Sequence, residues 1–97
     1  MSMMLVTVQV PRMLRAHAEN AAELEVEVEP GATLGTVLDV VAARHPALER
    51  RLRDEQKALR RYVNFYVDGD ECRARGGAAA PLVDGAEVRV VPSVAGG

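Results

Sequence analysis

From Glu23 to Glu29 the chain alternates glutamate with leucine or valine without a break. Only an extended strand sends every second side chain to one face, so Leu24, Val26 and Val28 must meet a core while the glutamates meet water. Pro30-Gly31 stops the run. A strand with one apolar face needs partners, and the chain supplies them. Val6, Val8 and Val10 alternate with Thr7 and Gln9 on a strand that should end at Pro11. Val63, Phe65 and Val67 face one way on another, with Tyr62, Asn64 and Tyr66 behind them, and Glu87 to Val91 reads as the last strand. Asp68-Gly69-Asp70 predicts a hairpin turn into a short strand around Glu71–Arg73, and Asp84-Gly85 a second turn. Arg12 to Ala22 reads as a polar connection and Gly76-Gly77 as a flexible loop.

One segment has a different period. Thr33 suits a helix N-cap, and Leu34, Val37, Leu38, Val41, Ala42 and His45 follow it at helical spacing. Pro46 should end that helix, because the residue before a proline is pushed out of the α region. Leu48 to Leu59 predicts a short helical turn and then an irregular, charged connection.

The 97 residues suffice for one domain with a modest core. Aromatic side chains are only 3% of the chain and all lie between Tyr62 and Tyr66, so that core must be mostly aliphatic. A net charge of −2 supplies no field to attract nucleic acid or an anionic membrane. The lone Cys72 excludes an internal disulfide and any four-cysteine metal centre. The N-terminus lacks the pattern of a signal peptide, and no apolar run is long enough to cross a bilayer. These features predict a cytoplasmic, reduced protein.

Strand, strand, helix, strand, short strand, strand is the order of the ubiquitin-like β-grasp, an α+β fold in which a mixed sheet wraps one main helix. The expected division is a β-grasp domain over 1–91 and a flexible tail over 92–97. That tail ends Val94-Ala95-Gly96-Gly97. Two glycines with no helix before them gain nothing as a cap. Without a Cβ they can thread a narrow channel, and the terminal carboxylate is ionised near neutrality and able to attack an activated phosphate.

The stretch Tyr62-Val63-Asn64-Phe65-Tyr66-Val67-Asp68-Gly69, the Asp84-Gly85 turn and the ending Val91-Pro92-Ser93-Val94-Ala95-Gly96-Gly97 resemble the MoaD/ThiS sulfur-carrier family. Val8–Arg15 and the Thr33-Leu34-Gly35 helix start fit as well, and within the family the chain is most similar to the CysO-type carriers of cysteine biosynthesis. The resemblance implies a carrier that is not itself an enzyme and binds no cofactor or metal. A ubiquitin-activating-type partner would use ATP and magnesium to adenylate Gly97, and a sulfur donor would displace AMP to leave a thiocarboxylate. A pyridoxal-phosphate cysteine synthase would receive that sulfur, and a zinc peptidase of the deubiquitinase type would release the cysteine formed on the carrier. Gly96 would keep the approach narrow, Val94 and Ala95 would anchor the tail in the partner's channel, and Pro92, with no amide hydrogen, would end sheet pairing. From Pro92 to Gly97 the chain can extend about 20 Å at ~3.3 Å per residue.

Other readings stay open at this level. The small subunit of a molybdopterin synthase would carry the same tail, a protein modifier would form isopeptide bonds through Gly97, and an RNA-binding β-grasp module would use the basic run. Arg44, Arg50, Arg51, Arg53, Lys57, Arg60 and Arg61 put seven of the twelve basic residues there, interleaved with Glu49, Asp54 and Glu55. A solvated face is the plainer expectation and a docking patch for an acidic partner the other. The glutamates at 23, 25, 27 and 29 either meet a basic partner or discourage edge pairing. Cys72 beside Arg73 reads as a small packing residue, and His17 and His45 have no ligand spacing. Tyr62 and Tyr66 form either an exposed cluster with Val91 or packing beneath Leu48–Leu59.

Overall fold

The computed structural model describes residues 2–93. Five strands, β1 (Met4–Gln9), β2 (Glu23–Val28), β3 (Val63–Val67), β4 (Asp70–Glu71) and β5 (Glu87–Pro92), form one mixed sheet in the order β2-β1-β5-β3-β4. The first and last strands run parallel side by side at its centre, Val8 opposite Val88, and the other neighbours are antiparallel. Helix α1 (Leu34–Arg44) buries Leu34, Val37, Leu38 and Val41, and the sheet's inward face contributes Val6, Val8, Val26, Phe65, Val67 and Val88 to the same core. This is the ubiquitin-like β-grasp expected from the order of elements. Phe65, the single phenylalanine, is fully buried in it.

The turns set the position of β5. Asp84 Oδ1 accepts the Leu5 amide at 2.8 Å, and the Gly85 amide donates to the Leu5 carbonyl at 2.8 Å, which clamps the start of β1 to the chain entering β5. Gly85 has φ +84°, a conformation open to glycine at little cost. At the other neighbour, Asp68 (φ +49°) and Gly69 (φ +90°) make the tight β3–β4 turn, and Asp68 Oδ1 accepts the Glu87 amide at 2.9 Å.

Thr33 caps α1 as its position implied, and a reciprocal bond to Thr36 completes a capping box. Pro46 does end α1, yet it also starts a second helix, α2 (Pro46–Leu52), because a proline at the first helical position has no amide to leave unpaired. Leu48 and Leu52, one turn apart, bury α2 against the core.

Four expectations need correcting. Arg12–Ala22 is not only connection: Arg12–Ala18 winds into a 3-10 helix whose Leu14 and Ala18 are buried, and the left-handed Glu19 and Asn20 turn the chain back into β2. Cys72 does not continue β4. It begins a 3-10 helix, Cys72–Arg75, capped where Glu71 accepts the Arg73 amide at 2.8 Å. Gly76-Gly77 is structured rather than a plain loop, with Gly76 left-handed between two 3-10 helices. Pro92, finally, stays in β5 opposite Val63, and the Ser93 amide still donates to the Tyr62 carbonyl at 2.6 Å.

Candidate functional site at the root of the C-terminal tail

Val94, Ala95, Gly96 and Gly97, which carry the expected chemistry, lie outside the described residues. What the structure defines is the platform from which they depart. Backbone bonding on an antiparallel strand alternates sides, so the Ser93 amide facing β3 puts the Pro92 nitrogen on the opposite side. The absent hydrogen therefore costs the β3 ladder nothing, and this is why proline does not end it.

On that opposite side the β1–β5 ladder runs only from Thr7 opposite Glu87 to Gln9 opposite Arg89. Past it β1 has reached Pro11, and a groove of about 620 Å³ opens, lined by Gln9, Val10, Pro11, Arg15, Ala22, Glu23 and residues 89–92. Prolines on both walls leave this edge short of donors, which blunts it against a foreign strand. Arg15 Nε donates to the Val10 carbonyl at 3.0 Å and holds the groove's end.

On the β3 side Ser93, the last described residue, lies beside a charged corner. Arg60, Arg61 and Tyr62 line a shallow hollow with Asp54 and Leu59, and Tyr62 is 52% exposed. Arg60 Nε donates to the Arg50 carbonyl at 2.8 Å, and the Arg73 guanidinium donates to the carbonyls of Arg60 (2.9 Å) and Val63 (3.2 Å). Tyr66 and Val91 are partly buried on the open sheet face, with Arg89 opposite Tyr66 and Asn64 opposite Val91. Of the two expectations for the tyrosines, the exposed one holds for Tyr62.

The solvated-face reading of the basic run fails at Arg53, which is 3% exposed. Its Nε donates to both Glu49 oxygens at 3.0 Å, and its Nη2 donates to Asp39 Oδ1 at 2.9 Å. Burial works against the charge, but the bonds to Glu49 and then Asp39 outweigh it and hold the pKa above the usual arginine value. Lys57 Nζ lies 3.7 Å from the same Asp39 oxygen.

The body of the domain offers little reactive chemistry. Cys72 is fully buried; desolvation, then the neighbouring Glu71, push its thiol pKa up and outweigh Arg73. His17 is on the first 3-10 helix, while His45 ends α1. Among the described residues no three His, Cys, Asp or Glu gather where they could hold a metal, and no helix is long and apolar enough to cross a membrane. The arrangement is a β-grasp domain whose last strand brings the chain to Ser93 beside Tyr62.

Comparison with known proteins agrees with that description. The family model of the ThiS family matches residues 8–97. The sulfur carrier protein CysO of Mycobacterium tuberculosis is 36% identical over 96 residues, covering 97% of this chain and all of CysO. Small archaeal modifier protein 1 of Haloferax volcanii is 34% identical over 84% of this chain and 90% of its own length. Among solved structures, the BexX/CysO complex of Amycolatopsis orientalis matches with a TM-score of 0.83 and 37% identity, over 95% of this chain and 99% of that one.

Proposed function

The chain belongs to the ThiS family of small ubiquitin-like carriers, and from that premise we propose that it carries sulfur as a thiocarboxylate on Gly97, for cysteine biosynthesis. The observation that carries this reading is the likeness to CysO along that protein's whole length, together with a family match that runs through Gly96-Gly97. A carboxylate oxygen of Gly97 attacks the α-phosphorus of ATP, held with magnesium on a ubiquitin-activating-type enzyme, and pyrophosphate leaves. A sulfur donor then attacks the acyl carbon and AMP departs. The thiocarboxylate is a nucleophile at neutral pH, ready for a pyridoxal-phosphate cysteine synthase. A zinc peptidase of the deubiquitinase type frees the cysteine, and the carrier returns with its carboxylate.

In this scheme the fold's task is delivery. Because Pro92 and Ser93 stay with the sheet, four residues remain, and they reach at most about 14 Å at ~3.3–3.6 Å each. Val94 and Ala95 anchor this short tether in the partner's channel, and Gly96 lets the backbone pass where a Cβ would clash. The likeness to small archaeal modifier protein 1 favours a second reading, in which Gly97 forms isopeptide bonds to lysines of other proteins.

Mass measurement of the tryptic peptide Val90–Gly97 from protein purified out of its native host decides between these. The peptide has neither Met nor Cys, so oxidation elsewhere cannot imitate the signal. A sulfur-for-oxygen shift or an added cysteine supports the carrier, and the cysteine adduct also selects the pathway. Gly97 recovered only on lysine side chains supports the modifier. A plain carboxylate that persists after incubation with the activating enzyme, ATP and a sulfur source refutes the carrier reading.

A further inference from the structure

We infer that the corner formed by Arg60, Arg61 and Tyr62 at the tail root docks an acidic protein surface, the rim of the site that receives Gly97. The partner's identity rests on the carrier reading; the corner itself does not. The hydrogen bond from Ser93 to Tyr62 places it directly beside the departing tail, although some thirty residues separate the two in sequence. Arg61 is exposed, and Arg60, half-buried with its Nε on the Arg50 carbonyl, has no carboxylate to neutralise it among the described residues. Among the described residues no carboxylate pairs with Arg50, Arg60 or Arg61. Asp54, the acid in the same hollow, turns Oδ1 onto the amides of Gln56 (2.9 Å) and Ala58 (3.0 Å) in its own loop.

Arg50 and Arg51, on α2, are exposed and have no carboxylate partner among the described residues, but neither lines the hollow beside Ser93; the other three cations of the basic run are engaged elsewhere. Arg53 is buried between two carboxylates, Lys57 stands by Asp39, and Arg44 donates to the Glu25 carbonyl on the far edge of the sheet. The chain's net charge is −2, so the corner is a local concentration and not a global excess. The glutamates of β2 give the opposite sign at the other edge, which orients the molecule in a partner's field. Two arginines around an exposed tyrosine also have the composition that dominates binding energy at protein interfaces.

A nucleotide phosphate fits less well. On an extended tether the adenylated Gly97 lies roughly 14 Å beyond Ser93, which leaves the corner against the partner's surface and away from its ATP.

Two measurements test the inference. Amide shifts of the isotope-labelled protein titrated with a short polyglutamate peptide at low salt should move at Arg60, Arg61, Tyr62 and Ser93. Movement centred on Arg12, Arg15 and Arg89, or spread evenly, would overturn the site. A single-stranded RNA oligomer that binds this corner more tightly than the peptide would overturn it in favour of nucleic acid. The second measurement is pyrophosphate exchange with the host's ubiquitin-activating-type enzyme. Arg60→Glu/Arg61→Glu should lower kcat/KM roughly tenfold at low salt, with the loss vanishing near 1 M salt, where the screening length is ~3 Å. Arg61→Glu alone, which removes no side-chain bond found among the described residues, should show about a third of the effect on a logarithmic scale or more. Arg44→Glu, the same charge change at the far edge, should leave exchange unaltered. Equal rates for wild type and the double variant at every salt concentration would refute the docking corner and leave the carrier reading intact. Failure of the wild type to exchange, with peptide shifts at the corner, would remove the carrier reading and leave the corner.

Discussion

Replacing Arg53 by methionine keeps an unbranched apolar stem in the buried slot and removes the guanidinium. Three hydrogen bonds to Glu49 and Asp39 disappear. Bonds to charged groups contribute about 1.5–3 kcal/mol each, which for two carboxylate partners sets a ceiling near 6 kcal/mol. Two effects lower that figure. Methionine avoids the desolvation that a buried guanidinium suffers, and neither carboxylate is left dry, since the Glu49 and Asp39 side chains are 19% and 51% exposed. The expected net loss is about 1–3 kcal/mol, which for a domain of this size lowers Tm by roughly 5–20 °C. Thermal and urea melts followed by circular dichroism measure it. Because the site is buried, the loss should persist at 0.5 M salt, whereas Lys57→Ala should cost less than ~1 kcal/mol and lose its effect there. Arg53→Lys is the decisive control. An ammonium cannot span both carboxylates as the planar fork does, so lysine should be no more stable than methionine. A lysine variant as stable as wild type would refute the reasoning, because a single buried charge would then suffice.

Deleting Gly97, or adding one residue after it, should abolish pyrophosphate exchange and leave Tm unchanged; exchange by the truncated protein would contradict the scheme. Phe65→Ala should cost about 3–5 kcal/mol by denaturant melt, a large share of the ~5–15 kcal/mol typical of a whole domain. Cys72 should resist iodoacetamide until the protein unfolds, and rapid native alkylation would contradict its burial. Its raised thiol pKa also has a signed consequence for pH. Below the ordinary thiol pKa of about 8.5 the contribution to stability is fully present, and it falls as pH rises through that value toward the folded one, because only the unfolded chain ionises. That part of the alkaline decline should be missing in Cys72→Ala.

The strands were legible because each alternates cleanly enough to show its buried face, and Thr33 and Asp68-Gly69 act through local backbone geometry that their side chains reveal. Leu14 and Ala18 escaped notice because two apolar positions four residues apart, one of them alanine, do not mark the three-residue period of a 3-10 helix. Pro46 was legible as a stop through the restriction its ring places on His45, and not as a start, which follows instead from its missing amide. The consequence of Pro92 depended on which neighbour its nitrogen faces, which is a matter of register and not of residue type. Arg53 looked like one more solvated cation because its partners, Asp39 and Glu49, meet it only once α1 and α2 pack. Nor does any local pattern show that Arg60 and Arg61 stand near Pro92 and Ser93; the β3–β5 pairing decides that. The Gly-Gly ending was the plainest feature of the sequence, and it lies beyond the residues whose structure is described.

The central place of β5 also determines how the domain bears force. A partner that draws in the tail pulls along the axis of a strand gripped on both sides, by β1 and by β3. Hydrogen bonds run across the strands, so such a pull loads both ladders in shear and many bonds share the tension at once. An edge strand tugged sideways would open one pair at a time, like a zipper. Under the proposed scheme, a domain loaded in this way should withstand a pull at its C-terminal end far better than one pulled by an edge strand.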